Sequence, residues 1–279
     1  MILIAESSSA TAQWSLVENG FMVEYCESEG INPFFQTRKQ ISHLIRENLP
    51  SVFFKSKLEA IYFYGTGCSA EERKAIIKAS LESQLKTRAQ IESDSYGAAR
   101  ALFQRRAGIA CVLDSDSNSC LYDGSEIIKK VRPLGYILGD EGSSASLGKA
   151  FLADCLKKLA PDIIMKAFYA HYRITADSLL DLIYTQPFPN RFLSKISFFL
   201  NDHLYHPYVH KLVYDNLKLF FTRNVFQYDY ANYSVRFIGT VADTYSDLLM
   251  QIAMELGVKI DMIVKSPMKG LIQYHANNS

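Results

Sequence analysis

The chain opens on a short apolar run, Ile2–Ala5, followed by a polar loop, Glu6-Ser7-Ser8-Ser9-Ala10. A second run near Gln13–Val17, the pair Asn19-Gly20 and a third run Phe21–Tyr25 complete a unit: strand, polar loop, strand, tight turn, strand. The pattern returns at Gly108–Leu113, Asp114-Ser115-Asp116-Ser117-Asn118, Cys120–Tyr122, Asp123-Gly124 and Ile127–Val131. Asn-Gly and Asp-Gly are strong hairpin signals, because primed turns need positive φ. After the first copy, Gln36–Leu49 places Ile41, Leu44, Ile45 and Leu49 on one helical face. Leu58–Tyr64 reads as a strand. Ala70–Leu85 reads as a helix capped by Ser69, with Glu71 and Glu72 in its first turn. Ala89–Glu92 is a short strand and Ser95–Phe103 a helix.

After the second copy the periodicity predicts helices over Gly142–Leu159, Asp162–His171, Ser178–Tyr184, Arg191–His203 and Tyr208–Phe221. Strand Val235–Ile238, helix Asp243–Leu256, strand Ile260–Val264 and a short helix Gly270–His275 follow. Hairpins followed by helix–strand alternation read as an α/β layer with a mixed sheet. The second hairpin module sets a boundary: an N-terminal domain over 1–106 and a C-terminal domain with helical insertions over 107–269. Helix 270–279 is expected to join the first domain.

The length of 279 residues agrees, at roughly 150 residues per domain. Hydrophobic residues at 48% and charged residues at 21% exclude a disordered chain. Thirty basic against 29 acidic residues leave no basic excess that would ask for nucleic acid. The N-terminal apolar run is too short for a signal peptide or a membrane span. Five widely spaced cysteines without a Cys-x-x-Cys point to free thiols and a cytoplasmic setting.

Several segments recur in a known order: Gly30-Ile31-Asn32-Pro33-Phe34, Tyr64-Gly65-Thr66-Gly67-Cys68, and Asp94 within Asp94-Ser95-Tyr96-Gly97-Ala98-Ala99. Ser117-Asn118-Ser119, Gly135-Tyr136-Ile137-Leu138-Gly139-Asp140-Glu141-Gly142-Ser143, Phe237-Ile238-Gly239-Thr240-Val241-Ala242 and Ser266-Pro267-Met268 complete the set. Together they resemble the actin, chaperone and sugar-kinase superfamily. More closely they resemble the N-acetylglucosamine-kinase-like branch of the BadF/BadG/BcrA/BcrD-type ATPases. The resemblance covers nearly the whole chain. It implies an actin-like ATPase fold: two α/β, ribonuclease-H-like domains with a nucleotide cleft between them and the two polar loops facing each other.

The resemblance implies a catalytic base at Asp94, since a sugar hydroxyl is a poor nucleophile and a carboxylate in reach takes its proton. Read from the residues alone, Asp94 is a helix N-cap. Asn32, Asp140 and Ser115 match sugar-binding positions, and Asp94 is expected beside Asn32 and Asp140. The plain readings are a turn residue before Pro33 for Asn32 and a helix cap for Asp140. Gly239 and Thr240 match an adenosine motif, where glycine permits close approach; a strand-to-helix turn would use them equally well. Ser7, Ser8, Ser9, Ala10 and Thr11 match the first phosphate loop, Asp116 and Ser117 the second. Glu6 and Asp114 match carboxylates serving Mg²⁺. ATP and Mg²⁺ are the implied cofactors, an amino sugar the implied partner.

Both phosphate loops depart from the family. Ser8 replaces a glycine, Ala10 a threonine, Thr11 a lysine, and Asp116 a second glycine. A carboxylate about 4 Å from a phosphate costs on the order of 4 kcal/mol at an effective dielectric of 20. The counter-reading is that Asp114 and Asp116 recruit extra Mg²⁺. His203, His206 and His210 have helical spacing, but Pro207 interrupts them and no carboxylate or cysteine frames them, which argues against a metal site. The aromatics at Phe168, Tyr169, Tyr172, Phe198, Phe199, Phe220 and Phe221 read as core or as contacts of a homodimer. Three functions follow: an ATP-dependent kinase for N-acetylglucosamine or a related amino sugar, with weakened ATP use; an inactive sugar-binding module; and a BadF-type activator ATPase. The last needs cluster-ligating cysteines, for which no pair has suitable spacing.

Overall fold

Strand β1 (Ile2–Ser7) pairs antiparallel with β2 (Thr11–Glu18), and β2 with β3 (Phe21–Glu29), in a computed structural model that describes residues 1–276. Asn19 (φ +52°) and Gly20 (φ +79°) make the β2–β3 turn, both in the left-handed region that a primed turn requires. Helix α1 (Arg38–Asn48) starts at a capping box between Thr37 and Gln40. Then come α2 (Ser51–Lys55), β4 (Ala60–Gly65), α3 (Glu71–Leu85), β5 (Ala89–Ser93) and α4 (Asp94–Phe103). Strand β4 runs parallel to β1 and β5 parallel to β4, giving the order β3-β2-β1-β4-β5.

The second half begins with β6 (Gly108–Leu113), β7 (Ser117–Tyr122) and β8 (Ile127–Lys130). Helices follow: α5 (Gly135–Leu138), α6 (Ser144–Leu156), α7 (Asp162–Tyr172), α8 (Ala176–Tyr184), α9 (Pro189–Asp202) and α10 (Pro207–Arg223). The chain ends with β9 (Val235–Ile238), α11 (Thr240–Thr244), α12 (Ser246–Glu255), β10 (Ile260–Val264) and α13 (Met268–Ala276). The second sheet has the order β10-β9-β6-β7-β8, with β9 and β10 parallel and β7 and β8 antiparallel.

Two compact units result. One comprises Met1–Ala110, Cys120–Lys130 and the segment from Ser266; the other comprises Cys111–Ser119 and Val131–Lys265. In the first unit, the two-residue period of the strands sorts side chains to opposite faces of the sheet. Leu3, Ala5, Trp14 and Phe63 pack with Ile41 and Ile45 of α1 and Ile77 and Leu81 of α3. Ile4, Val17 and Tyr64 pack with Met268 and Leu271 of α13. Both faces of β1 are therefore buried. A one-residue slip of register would exchange the two faces, setting Leu3 and Ala5 against α13 and Ile4 against α1 and α3, and so break the packing on both sides. In the second unit Phe168 meets Phe151 and Phe199 at ring separations of 5.0 and 5.4 Å, all three buried. Phe220 and Phe221 are buried too, whereas Phe198 is exposed.

Several elements differ from their sequence reading. Asp123-Gly124 is not a two-residue turn: four residues separate β7 from β8, and Asp123 accepts from the amides of Ser125 and Glu126 in an Asx turn. Strand β7 starts at Ser117, three residues early, so the polar loop shrinks to Asp114–Asp116. Ala70, not Ser69, precedes α3, with no side-chain cap. The helix expected from Gly142 starts at Ser144, capped by the Ser143 hydroxyl on the Ser146 amide. The helix expected over Asp243–Leu256 is broken at Tyr245, which is buried and donates its hydroxyl to the Ser197 carbonyl at 3.0 Å. His203 contacts the Phe199 carbonyl, and His206 caps α10 through the Tyr208 amide. The five cysteines are free. Among the described residues, no helix is long and apolar enough to cross a membrane.

Candidate functional site

In the first unit the site is built where β1, β4 and β5 end. Ser7 closes β1; its buried hydroxyl accepts from the Ile31 amide at 2.8 Å, tying the β1–β2 loop to the segment after β3. Ser8 donates its amide to the Thr11 carbonyl at 2.9 Å, and its hydroxyl accepts from the amides of Ala10 and Thr11, each at 3.2 Å. Gly30 lies against this loop so closely that a Cβ would stand 2.5 Å from the Ser8 carbonyl oxygen. Its own amide donates to the Ala10 carbonyl at 2.9 Å.

Asn32 is buried and bonded through both polar atoms of its side chain. Its Nδ2 donates to the Ser9 hydroxyl at 3.0 Å, and its Oδ1 accepts from the Phe34 amide at 3.0 Å. The turn reading of Asn32 thus has direct bonds behind it, and the same carboxamide touches the polar loop. Gly67 (φ +82°) lies over it, where a Cβ would stand 2.5 Å from Oδ1. Thr66, its neighbour, donates its backbone amide to the Ser7 carbonyl at 3.0 Å and its hydroxyl to Asp94 Oδ2 at 3.3 Å. Asp94 is the first residue of α4, one position past the cap Ser93. Its Oδ1 accepts from the Ser95 amide at 2.8 Å and the Ser95 hydroxyl at 3.3 Å. Asp94 therefore orients itself by bonding the helix start without being the N-cap residue. The fold brings Ser9, Asn32, the Thr66-Gly67 turn and Asp94 into one connected set. The sequence motif Tyr64-Gly65-Thr66-Gly67-Cys68 gives Thr66 no role by itself; the available signal is a hydroxyl at the first position after β4.

In the second unit Asp114 directly follows β6. Its carbonyl accepts from the Ser144 amide at 2.9 Å, and its own amide donates to the Asp116 carbonyl at 3.0 Å. Its carboxyl receives the Ser115 amide and the Thr240 hydroxyl; burial outweighs these bonds and pushes it up to about 6. Thr240 thus belongs to the Asp114 loop. Gly239 (φ +124°) begins α11, and the space its Cβ would need is filled by protein: the Leu113 carbonyl oxygen would be 2.2 Å away. The Ser115 hydroxyl is buried with no hydrogen-bond partner among the described residues.

Asp140 is buried and adopts φ +56°, a left-handed conformation that aspartate tolerates better than most side chains. It is not a cap; Ser143 holds that position. Asp140 lines a cavity of about 370 Å³ within the second unit, together with Ser117, Asn118, Arg132, Glu141 and Gln227. Arg223 and Glu141, also lining it, pair at 2.6 Å. The loop is held from beneath by buried Asn216 of α10, whose Oδ1 accepts from the Gly142 amide at 2.8 Å. Asn216, Arg223 and Gln227 were missed in the sequence, where a polar residue on an aromatic-rich helix carries little signal. Among the described residues no three His, Cys, Asp or Glu side chains form a metal-holding group.

The two five-stranded mixed sheets with flanking helices define the actin-like ATPase and sugar-kinase fold. The chain is 41% identical to a Porphyromonas gingivalis protein whose crystal structure is described as that of a "putative N-acetylglucosamine kinase". The match covers 100% of this chain and 99% of that one, with a TM-score of 0.95. The chain belongs to the N-acetylglucosamine-kinase-like family that includes this Porphyromonas gingivalis protein. A Chromobacterium violaceum protein described in the same words shares the fold at 14% identity, over 98% of each chain, with a TM-score of 0.74. The ethanolamine utilization protein EutJ of Carboxydothermus hydrogenoformans does so at 11% identity, over 98% of this chain and 88% of its own, with a TM-score of 0.62. No protein-family model matches the sequence, and no curated protein does.

Proposed function

We propose that this protein is a sugar kinase of the BadF/BadG/BcrA/BcrD branch, acting with ATP on N-acetylglucosamine or a related amino sugar. The observation that carries the reading is the connected set Ser9–Asn32–Thr66–Asp94, which joins a polar hairpin loop, a carboxamide and an oriented carboxylate. Full-length identity of 41% to the Porphyromonas gingivalis protein supports it. Asp94 takes the proton from the sugar hydroxyl as its oxygen bonds to the terminal phosphorus of ATP and the bond from that phosphorus to the bridging oxygen breaks, ADP leaving with the electron pair. Thr66 and the Ser95 amide hold the carboxylate in place for that transfer. Asn32, Asp140 and the partnerless Ser115 hydroxyl offer the hydrogen bonds that polyol recognition requires. ATP would supply the phosphoryl group; the residues expected to hold it are Glu6–Thr11 in the first unit and Asp114–Ser117, Gly239 and Thr240 in the second. Glu6 or Asp114 would hold Mg²⁺ with phosphate oxygens and water completing its shell, since no three-ligand group is present among the described residues.

The second reading, a sugar-binding module without turnover, is favoured by one observation: the Ser8 hydroxyl already takes up the Ala10 and Thr11 amides of the first loop. Titrating purified protein with N-acetylglucosamine and with Mg·ATP separately, then following ADP release with both present, tests the pair. Sugar-dependent ADP release is expected. Sugar binding without ADP release would favour the module, and no binding of either would defeat both.

A further inference from the structure

The β1–β2 loop presents two consecutive backbone amides, Ala10 and Thr11, that converge on one oxygen. Successive N–H groups aimed at a common point form a concavity suited to an anion, because their partial positive charges add there. Here the point is filled by the chain's own Ser8 hydroxyl, 3.2 Å from each nitrogen. The same hydroxyl donates to the Thr11 carbonyl at 3.2 Å, and the Ser8 amide donates to that carbonyl as well. Ser8 is 7% exposed, so water does not readily compete for the position. The arrangement is also braced from outside: Ser7 by Ile31, Ser9 by Asn32, and Ala10 by the Gly30 amide. A loop fixed at three neighbouring residues has little freedom to present its amides differently.

We infer that the Ser8 hydroxyl is a built-in occupant of the anion seat in this loop and lowers the protein's affinity for phosphate-bearing ligands. A phosphate oxygen enters only by displacing it. Ser8 must then rotate about χ1 and give up two accepted bonds and one donated bond. The competition is local to the first unit and leaves Asp140 and its cavity untouched. The inference rests on the sugar-kinase reading for the identity of the natural ligand, the terminal phosphates of a nucleoside triphosphate. The seat itself follows from the loop geometry.

The experiment is calorimetric titration of wild type, Ser8→Ala, Ser8→Cys and Ser8→Gly with Mg·ATP and with inorganic pyrophosphate, and in parallel with N-acetylglucosamine. Alanine removes the oxygen and keeps the Cβ. Cysteine keeps the side-chain shape but replaces the oxygen by a larger, weakly accepting sulfur, so the test survives if the alanine variant fails to fold. Both should bind Mg·ATP and pyrophosphate about tenfold more tightly, the scale of one net hydrogen bond no longer displaced. Glycine should gain at least as much. Amide hydrogen exchange at Ala10 and Thr11 should quicken in the free alanine variant and slow again with pyrophosphate. Equal or weaker binding in both the alanine and cysteine variants overturns the inference. The two readings separate cleanly. If no form binds the sugar or releases ADP, yet the variants gain pyrophosphate affinity, the kinase reading falls and the occupied seat stands.

Discussion

The Thr66 hydroxyl donates to Asp94 Oδ2 at 3.3 Å, while the Ser95 amide holds the other carboxylate oxygen at 2.8 Å. A strand end and a helix start thus grip one side chain from both sides. Gly97 makes this possible: its missing Cβ, which would lie 2.9 Å from that of Tyr64, lets α4 settle directly on β4.

Asp94→Asn should lower kcat by at least about a hundredfold, the usual scale of general-base catalysis, with sugar affinity little changed. Thr66→Val should lower kcat by less, and Thr66→Ser should restore it. Steady-state kinetics beside sugar titration check this. An Asn variant with near wild-type kcat would remove Asp94 from the chemistry.

The buried, partnerless Ser115 hydroxyl costs free energy in the unliganded protein, on the order of 1 kcal/mol. Ser115→Ala should therefore raise the melting temperature by about 2–4 °C in ligand-free buffer and weaken sugar or nucleotide binding. Differential scanning calorimetry with and without ligand reads both. Lower stability together with unchanged affinity would show that the hydroxyl serves the fold alone.

Asp114 titrates near 6 in the folded chain, because burial disfavours its charged form, against an ordinary carboxylate value of 3.8. Below about 3.8 the group is protonated folded or unfolded and costs nothing. As pH rises from about 3.8 to about 6 the unfolded chain releases a proton that the folded protein still holds, so stability falls, and it levels off once the folded group ionises too. Asp114→Asn should remove that loss. Its advantage over wild type, measured by urea unfolding in chelator, should grow between pH 4 and pH 6 and level off above.

His275 on α13 behaves in the opposite sense. Arg100 donates to the Tyr64 oxygen at 3.2 Å, which directs the Tyr64 hydroxyl proton to His275 Nε2 at 2.9 Å and keeps the imidazole a neutral acceptor. Burial first, then the Arg100 charge, lower His275 from 6.5 to about 4. Arg100 is itself faced by Glu92, which also pairs with Lys74 at 3.2 Å. Between pH 6.5 and 4 the unfolded chain binds a proton that the folded chain refuses, so stability drops as pH falls, by up to roughly 3 kcal/mol. His275→Gln should flatten that limb of the stability profile. An unchanged acid limb would place the proton uptake elsewhere.

The chain's own letters determined a good deal. The two-residue period and Asn19-Gly20 specify the first hairpin, and β9 (Val235–Ile238) and β10 (Ile260–Val264) run as the apolar pattern predicts. At Asp94 the residues alone announced only a helix start after a strand, where the structure puts it one position past the cap of α4; its catalytic reading came from the resemblance. These features rest on local preferences, which act between residues a few positions apart. What tertiary structure alone decided depends on partners far along the chain. The helix breaks at Tyr245, whose hydroxyl bonds the distant Ser197 carbonyl. Gly239 is needed for the approach of Leu113, and Thr240 turns to Asp114, because β6 and β9 are neighbours in the sheet. The serine run after β1 reads as a damaged loop in sequence; the fold makes it a closed one. Whether a hydroxyl fills the seat depends on the backbone path that Gly30 and Asn32 impose, more than twenty residues away.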